Sequence, residues 1–128
     1  LNMLMNSKGC YPDFLTTNAC SSCFTPDGKV YWGTVLNKFC PLLSYDLANS
    51  AEYGRTFKSV KDVLKSVAID DDVKNGYNYI LHVKGSRGGC THFVFLTGVS
   101  DDCERFNVLD PSGRVAEVSE ICGYKKFK

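Results

Sequence analysis

THFVFLTGV, residues 91–99, is the most apolar segment of the chain and predicts its central β-strand. Apolar side chains occupy both alternating faces of this segment, which is typical of a strand covered on two sides. Three neighbouring segments are also rich in β-branched and aromatic residues and are bounded by Gly, Asp or Pro: YNYILHVKG at 77–85, ERFNVLD at 104–110 and RVAEV at 114–118. We therefore expect consecutive antiparallel strands in a meander.

Helical patterns precede these strands. Cys10 stands at or just before a predicted helix whose opening turn holds Pro12 and Asp13. Thr25-Pro26-Asp27 opens a second helix that runs to Phe39, and Ser59 caps a third with apolar residues at positions 60, 63, 64 and 67. Residues 42–57 give mixed signals and predict a loop with at most a short strand. Helices first and a meander afterwards make an α+β fold.

The composition fits one globular domain over residues 1–128. The chain is 44% hydrophobic and 12% aromatic, which is enough apolar material for a single core. It contains no internal repeat and no Pro/Gly-rich linker, and no apolar run is long enough to span a membrane.

The charge pattern excludes several classes of partner. Fifteen Lys and Arg residues against fourteen Asp and Glu give a net charge of +1, so no overall field attracts nucleic acid or an anionic membrane. Lys125, Lys126 and Lys128 form a basic tail that we interpret as a solvated end. The chain begins at Leu1, which suggests a processed product or a domain of a longer polypeptide and leaves the localisation open.

Seven cysteines are many for this length, and their odd number leaves at least one unpaired. Cys20 and Cys23 form a single CxxC, so a structural zinc site would need a distant ligand such as Cys40. A thioredoxin-like redox motif is disfavoured because turn residues, not a helix, follow Cys23. We assign no metal and no cofactor, and a disulfide-stapled secreted domain remains an alternative.

A nucleophile, a base and an orienting carboxylate occur in an order that suits covalent catalysis. A thiol attacks a carbonyl as the thiolate, which a helix N-terminus and a nearby imidazole stabilise. Cys10 meets the first condition. His92 opens the most apolar strand and Asp110 ends the next one, so antiparallel pairing can bring the two side chains to the same edge of the sheet.

Other readings of these residues are simpler. A cysteine at a helix start is usually a small buried hydrophobe, and Asp110-Pro111 is a common turn opener. His82 is the only alternative base, and we interpret it as structural because it lies in mid-strand. Cys90 is two residues from His92 and is the alternative nucleophile, but it follows a glycine turn and lacks a helix dipole.

The motifs resemble a known family. Gly9-Cys10 and Thr25-Pro26-Asp27 at helix starts, the strand at 92–99 and Val108-Leu109-Asp110-Pro111 before a glycine turn resemble the bacteriocin-processing, double-glycine leader peptidase branch of papain-like cysteine hydrolases. The resemblance runs from about residue 9 to about residue 118, except for residues 40–76, which match nothing in the family. It implies a papain-like fold with N-terminal helices packed on an antiparallel sheet. It implies catalytic roles for Cys10, His92 and Asp110.

The chain departs from this family at the oxyanion-stabilising residue. The family usually supplies a Gln upstream of the cysteine, and this chain contains no Gln. Either Asn6 or Asn2 would then donate a side-chain hydrogen bond beside the backbone N–H of Cys10, or the usual residue belongs to a segment upstream of Leu1.

The resemblance implies a cysteine peptidase or amidase that acts on a peptide or protein substrate, including cell-wall peptides of the peptidoglycan. It favours a secreted or phage-associated bacterial hydrolase that needs no nucleic acid or membrane partner. The alternative is a catalytically inactive papain-like module that binds or supports a parent polypeptide or larger assembly, and the missing Gln favours it.

Overall fold

The computed structural model describes Thr34, residues 45–54 and residues 56–127. Two helices lie in this part of the chain, α1 (Val60–Leu64) and α2 (Ile69–Lys74). The strands are β1 (Tyr45–Glu52), β2 (Lys58–Ser59), β3 (Asn78–Lys84), β4 (Cys90–Val99), β5 (Phe106–Leu109), β6 (Glu117–Val118), β7 (Glu120–Ile121) and β8 (Gly123–Phe127).

A six-stranded sheet in the order β1-β8-β3-β4-β5-β6 organises the described residues, and β2 pairs with β7 separately. The pairs β3/β4, β4/β5 and β5/β6 are antiparallel, so the predicted meander is confirmed. The last strand, β8, returns to the other side of β3 and pairs with it antiparallel. Strands alternate with only two short helices here, which supports the α+β class.

The core lies on one face of this sheet, where alternate residues of β3 and β4 meet the two helices. Leu81 pairs with Val94, and both are almost fully buried. The buried cluster contains Val60, Val63, Ile69, Tyr79, Leu81, Val83, Val94, Leu96, Phe106, Val108, Ile121 and Tyr124. Period-two burial therefore fixes which side chains of β4 face the core.

The cap predicted at Ser59 is confirmed. Its hydroxyl oxygen accepts a hydrogen bond from the backbone N–H of Asp62 at 3.3 Å, and α1 begins at the next residue. The helix ends at Leu64, earlier than the apolar spacing suggested, and α2 follows as a separate helix. Gly76, with φ of 86°, lies just beyond α2, where a left-handed residue ends the helix.

The interpretation of residues 42–57 as mostly loop is wrong, because residues 45–52 form the eight-residue strand β1. Its composition, YDLANSAE, has weak intrinsic strand preference. Its neighbour in the sheet is β8, and the backbone N–H of Lys126 donates to the Ser50 hydroxyl at 2.9 Å. Pairing with a distant part of the chain therefore decides the conformation.

The basic tail is also not a solvated end over its described part. Lys125 and Lys126 lie in β8, between β1 and β3, with side chains only 14% and 12% exposed. Lys126 Nζ lies 3.2 Å from a carboxylate oxygen of Asp72 and 4.2 Å from the centre of the Tyr77 ring. The sequence of the tail shows three lysines but not these partners.

Several predictions fall on other parts of the chain. The helix at Cys10 lies outside the described residues, and of the predicted helix from Thr25 to Phe39 only Thr34 is described, which is helical. Contacts between Cα atoms divide the chain into two compact units, residues 1–45 and 46–128. The assignment of 1–128 to one domain stays a prediction.

Candidate functional site

His92 lies near the start of β4, on the strand face that points into the core. It pairs with Val83 of β3 and shares its face with Val94 and Leu96, which are buried. The His92 side chain itself is 24% exposed. The strand therefore holds the imidazole at the boundary between the apolar core and solvent.

Asp110 follows β5 directly and begins the turn that the DPSG sequence predicts. Its backbone carbonyl accepts a hydrogen bond from the N–H of Gly113 at 2.9 Å, and Gly113 adopts a φ of 68°. Its carboxylate accepts bonds from the Ser112 N–H at 2.9 Å, the Ser112 hydroxyl at 2.8 Å and the Val115 N–H at 3.1 Å. The side chain is 0% exposed, so these donors replace water around a buried charge.

The two side chains contact each other: His92 Nε2 lies 2.8 Å from Asp110 Oδ1. Burial raises the pKa of Asp110, but hydrogen bonds from Ser112, His92 and Val115 outweigh it and hold this pKa well below its ordinary value. The carboxylate is therefore charged at neutral pH. A carboxylate can only accept, so it fixes the neutral imidazole as the tautomer with its proton on Nε2.

This tautomer leaves the lone pair of the other ring nitrogen, Nδ1, available. Among residues 45–54 and 56–127, no hydrogen-bond partner of Nδ1 is found. A buried carboxylate on one ring nitrogen and a free lone pair on the other is the arrangement of a general base. The geometry can therefore remove a proton from a group placed at Nδ1.

A cavity of about 260 Å³ opens beside the imidazole. It is lined by Gly85, Ser86, Thr91, His92, Ser112 and Arg114. The guanidinium of Arg114 donates a hydrogen bond to the Lys84 carbonyl at 3.0 Å, which anchors its positive charge at the cavity wall. A Cβ atom at Gly85 would meet the side-chain hydroxyl of Thr91, so the glycine leaves room for Thr91 at the cavity wall.

The structure places two of the four predicted site residues. His92 and Asp110 are brought into contact, whereas the predicted nucleophile Cys10 and the predicted oxyanion donor Asn6 lie outside the described residues. Cys20, Cys23 and Cys40, the ligands considered for zinc, lie there as well. Their roles stay predictions.

The alternative nucleophile Cys90 is joined to Cys122 by a disulfide, so it has no thiol to offer in this state. The alternative base His82 has structural partners: Nδ1 lies 3.2 Å from a carboxylate oxygen of Glu52, and its ring stacks on Phe93 at 4.2 Å. Both observations favour His92 as the base. Within the described part of the chain, Cys103 is a free and exposed cysteine.

Sequence reasoning missed the residues that support Asp110. Ser112 had a usable signal, since a serine two residues after Asp in a turn commonly donates back to the Asp side chain. Val115 contributes only its backbone N–H, which any residue type could supply. No sequence pattern indicates Arg114, because its position beside His92 depends on the pairing of β5 with β4.

No family model matches the chain, and no curated protein or solved structure matches it significantly. Among the described residues, no helix has the length and apolar character that crossing a membrane requires.

Proposed function

We propose that the protein is a cysteine hydrolase that cleaves a peptide or amide bond, with Cys10 as nucleophile, His92 as general base and Asp110 as the residue that orients His92. The contact between His92 Nε2 and the buried Asp110 carboxylate carries the proposal. We extend it to a papain-like fold of the bacteriocin-processing peptidase type, in which Nδ1 of His92 accepts the proton of the attacking thiol.

The chemistry follows from the charges. Nδ1 of His92 takes the thiol proton of Cys10, and the thiolate attacks the carbonyl carbon of the substrate. The oxyanion accepts hydrogen bonds from the Cys10 backbone N–H and from Asn6. The imidazolium, stabilised by Asp110, returns the proton to the leaving amine as the C–N bond breaks. Water then adds to the thioester, gives a proton to His92 and releases the acid and the thiol.

The cavity beside His92 suits a peptide substrate. Two of its hydroxyl groups, from Ser86 and Thr91, can donate to carbonyl oxygens, and Arg114 adds a positive charge that suits a carboxylate. A peptide with acidic or C-terminal carboxylates, such as a cell-wall peptide of the peptidoglycan, meets both conditions. A secreted or phage-associated hydrolase, or a domain of a larger polypeptide, is the setting we propose.

A second candidate is a papain-like module that binds peptide without cleaving it. The specific observation in its favour is that residues 1–128 contain no Gln to act as the usual oxyanion donor. Loss of one such donor typically lowers kcat by roughly 10²–10³. Binding in the cavity would then persist while hydrolysis becomes slow.

Incubation with a mixture of unstructured peptides and with soluble peptidoglycan fragments tests the proposal, with cleavage followed by mass spectrometry. We expect new amine termini with the parent, no cleavage with Cys10→Ser or His92→Ala, and normal cleavage with Cys103→Ser. Binding without cleavage by the parent would favour the second candidate. Cleavage that survives Cys10→Ser would overturn the assignment of the nucleophile.

A further inference from the structure

Three side chains of metal-ligating type form a cluster that includes neither His92 nor Asp110. The ligand atoms of His82, Cys90 and Cys122 all lie within 4.8 Å of one another. His82 belongs to β3, Cys90 is the first residue of β4, and Cys122 lies between β7 and β8. Two sulfurs and one imidazole nitrogen are ligand types that zinc prefers in proteins.

The disulfide between Cys90 and Cys122 occupies two of these ligands in the oxidised protein. A dithiol reductant opens it in two steps: its first thiolate attacks one cysteine sulfur and releases the other cysteine as a thiolate, and its second thiolate then attacks the mixed disulfide and releases the first cysteine. The products are two cysteine thiols and the oxidised, cyclic reductant, so two electrons and two protons are transferred to the protein. Cys90 is half-buried and Cys122 is fully buried, so attack at the Cys90 sulfur is favoured.

The distances suit a metal ion once the sulfurs separate. Zn–S bonds of about 2.3 Å in tetrahedral geometry place two thiolate sulfurs about 3.8 Å apart. The Cα atoms of Cys90 and Cys122 are 6.2 Å apart, and rotation of the two side chains can open the sulfurs to that separation. Both thiols lose their protons to solvent when the metal binds.

The surroundings of His82 favour a cation. The Glu52 carboxylate lies 3.2 Å from Nδ1 of His82, which adds a negative charge beside the cluster and restricts the ring. Stacking on Phe93, with ring planes 8° apart, restricts it further. A carboxylate on a ligating histidine is the usual outer partner of a protein-bound metal.

Gly123 makes this arrangement sterically possible. It pairs with His82 across β8 and β3, and a Cβ atom there would lie 2.6 Å from a carboxylate oxygen of Glu52. The glycine therefore admits the Glu52 side chain next to the imidazole.

We propose that His82, Cys90 and Cys122 form a redox-controlled zinc site: the disulfide closes it in the oxidised protein, and reduction opens it to Zn²⁺. The ion takes two thiolates and one imidazole from the chain and a water molecule from solvent. The site differs from the zinc ligands considered at Cys20, Cys23 and Cys40.

The test uses the full chain, reduced with a phosphine that does not bind zinc and then desalted without oxygen. Zn²⁺ affinity is measured by competition with a chromophoric chelator, and Co²⁺ serves as a spectroscopic probe of tetrahedral thiolate ligation. We expect one tight site in the reduced protein that disappears on reoxidation. Cys90→Ser/Cys122→Ser should abolish it, and Glu52→Gln should weaken it about 10-fold. The matched controls Cys20→Ser/Cys23→Ser and Cys103→Ser should retain it.

A second measurement needs no variant and remains decisive if the double variant does not fold. The reduced parent is alkylated with and without Zn²⁺, and each cysteine is quantified by mass spectrometry. Zinc should protect Cys90 and Cys122 at least about tenfold more than it protects Cys103. If Cys90 and Cys122 are alkylated to the same extent with Zn²⁺ as without it, the proposal is overturned. Zinc binding that is unchanged on reoxidation also overturns it.

Discussion

The imidazole of His92 donates its Nε2 proton to the carboxylate of Asp110 across 2.8 Å, at the point where β4 and β5 bring their polar ends together. Donors from Ser112 and Val115 fill the remaining positions around the carboxylate. Among residues 45–54 and 56–127, Nδ1 of His92 has no hydrogen-bond partner, so the contact with Asp110 orients the imidazole and leaves the Nδ1 lone pair available.

Replacement of Asp110 should change the pH dependence of stability. The pKa of Asp110 is lower in the folded protein than in the unfolded chain, so its stabilising contribution is complete above the unfolded value of about 3.9. The contribution is lost as pH falls through the folded pKa. Asp110→Asn should therefore destabilise the protein at pH 7, and its difference from the parent should shrink below about pH 4.

Urea unfolding of both proteins at pH 7 and pH 3 measures this difference. Asp101→Asn, in an exposed turn after β4, is the matched control and should change little at either pH. A difference between parent and Asp110→Asn that is the same at both pH values would show that the charge of Asp110 is not stabilising.

Removal of the disulfide should destabilise the protein. Cys90 and Cys122 are 32 residues apart. Closing a loop of that length lowers the entropy of the unfolded chain and raises its free energy by about 3–4 kcal/mol. Cys90→Ala/Cys122→Ala should lower the free energy of unfolding by about that amount in urea without reductant. The control Cys103→Ser, at an exposed free cysteine, should have a free energy of unfolding within about 0.5 kcal/mol of the parent value.

Gly123→Ala should destabilise the protein because Glu52 and Ala51 already fill the space beside Gly123. The new methyl group would lie 2.6 Å from a Glu52 carboxylate oxygen and 2.8 Å from the Ala51 carbonyl oxygen, so β1 would have to move. We expect a loss of about 1–3 kcal/mol by chemical denaturation. Gly98→Ala is the control, since a Cβ atom there meets nothing within 4 Å among the described residues. Equal losses in both variants would contradict the steric account.

The ion pair of Lys126 should contribute more to the free energy of unfolding than an exposed ion pair does. Lys126→Met keeps the aliphatic stem but leaves the Asp72 carboxylate, 21% exposed, without this cation and removes the charge over Tyr77. The free energy of unfolding should fall by more than about 1 kcal/mol. Lys61→Met removes an exposed pair with Glu104 and should change it by less than about 0.5 kcal/mol. If both variants behave alike, the burial of Lys126 has no energetic role.

The sequence predicts the meander because its strands are locally consistent. Val94 and Leu96 alternate with partly exposed residues in β4, so the period alone assigns the core face. The other face of β4 is less covered than the apolar sequence suggested, since Phe93 is 36% exposed within the described part of the chain. Alternation shows which side chains share a face, but not what packs on it.

The strands β1 and β8 were missed for a physical reason. Asp46, Asn49 and Ser50 in β1, and the lysines of β8, have no strand preference of their own. They are strands because β8 pairs with β3, which lies about forty residues earlier. Tertiary pairing of this kind leaves no local pattern.

The sequence predicts one part of the candidate site, the contact between His92 and Asp110, but not the rest. The order of His92 and Asp110 in adjacent strands predicts their meeting, because an antiparallel turn brings them to one edge. The disulfide was not predictable, since seven cysteines allow many pairings. The cluster of His82 with Cys90 and Cys122 was not predictable either, because the tertiary fold brings Cys122, the residue before β8, next to β3.

The most direct test of the assignment of Cys10, His92 and Asp110 is the pH dependence of Cys10 alkylation by iodoacetamide, mapped by mass spectrometry. The exposed thiol of Cys103 is an internal reference in the same chain. We predict that Cys10 of the parent reacts nearly as fast at pH 6 as at pH 8, whereas in His92→Ala its rate falls about tenfold for each pH unit below about 8. A Cys10 rate that follows that of Cys103 at every pH, in both proteins, would contradict the account.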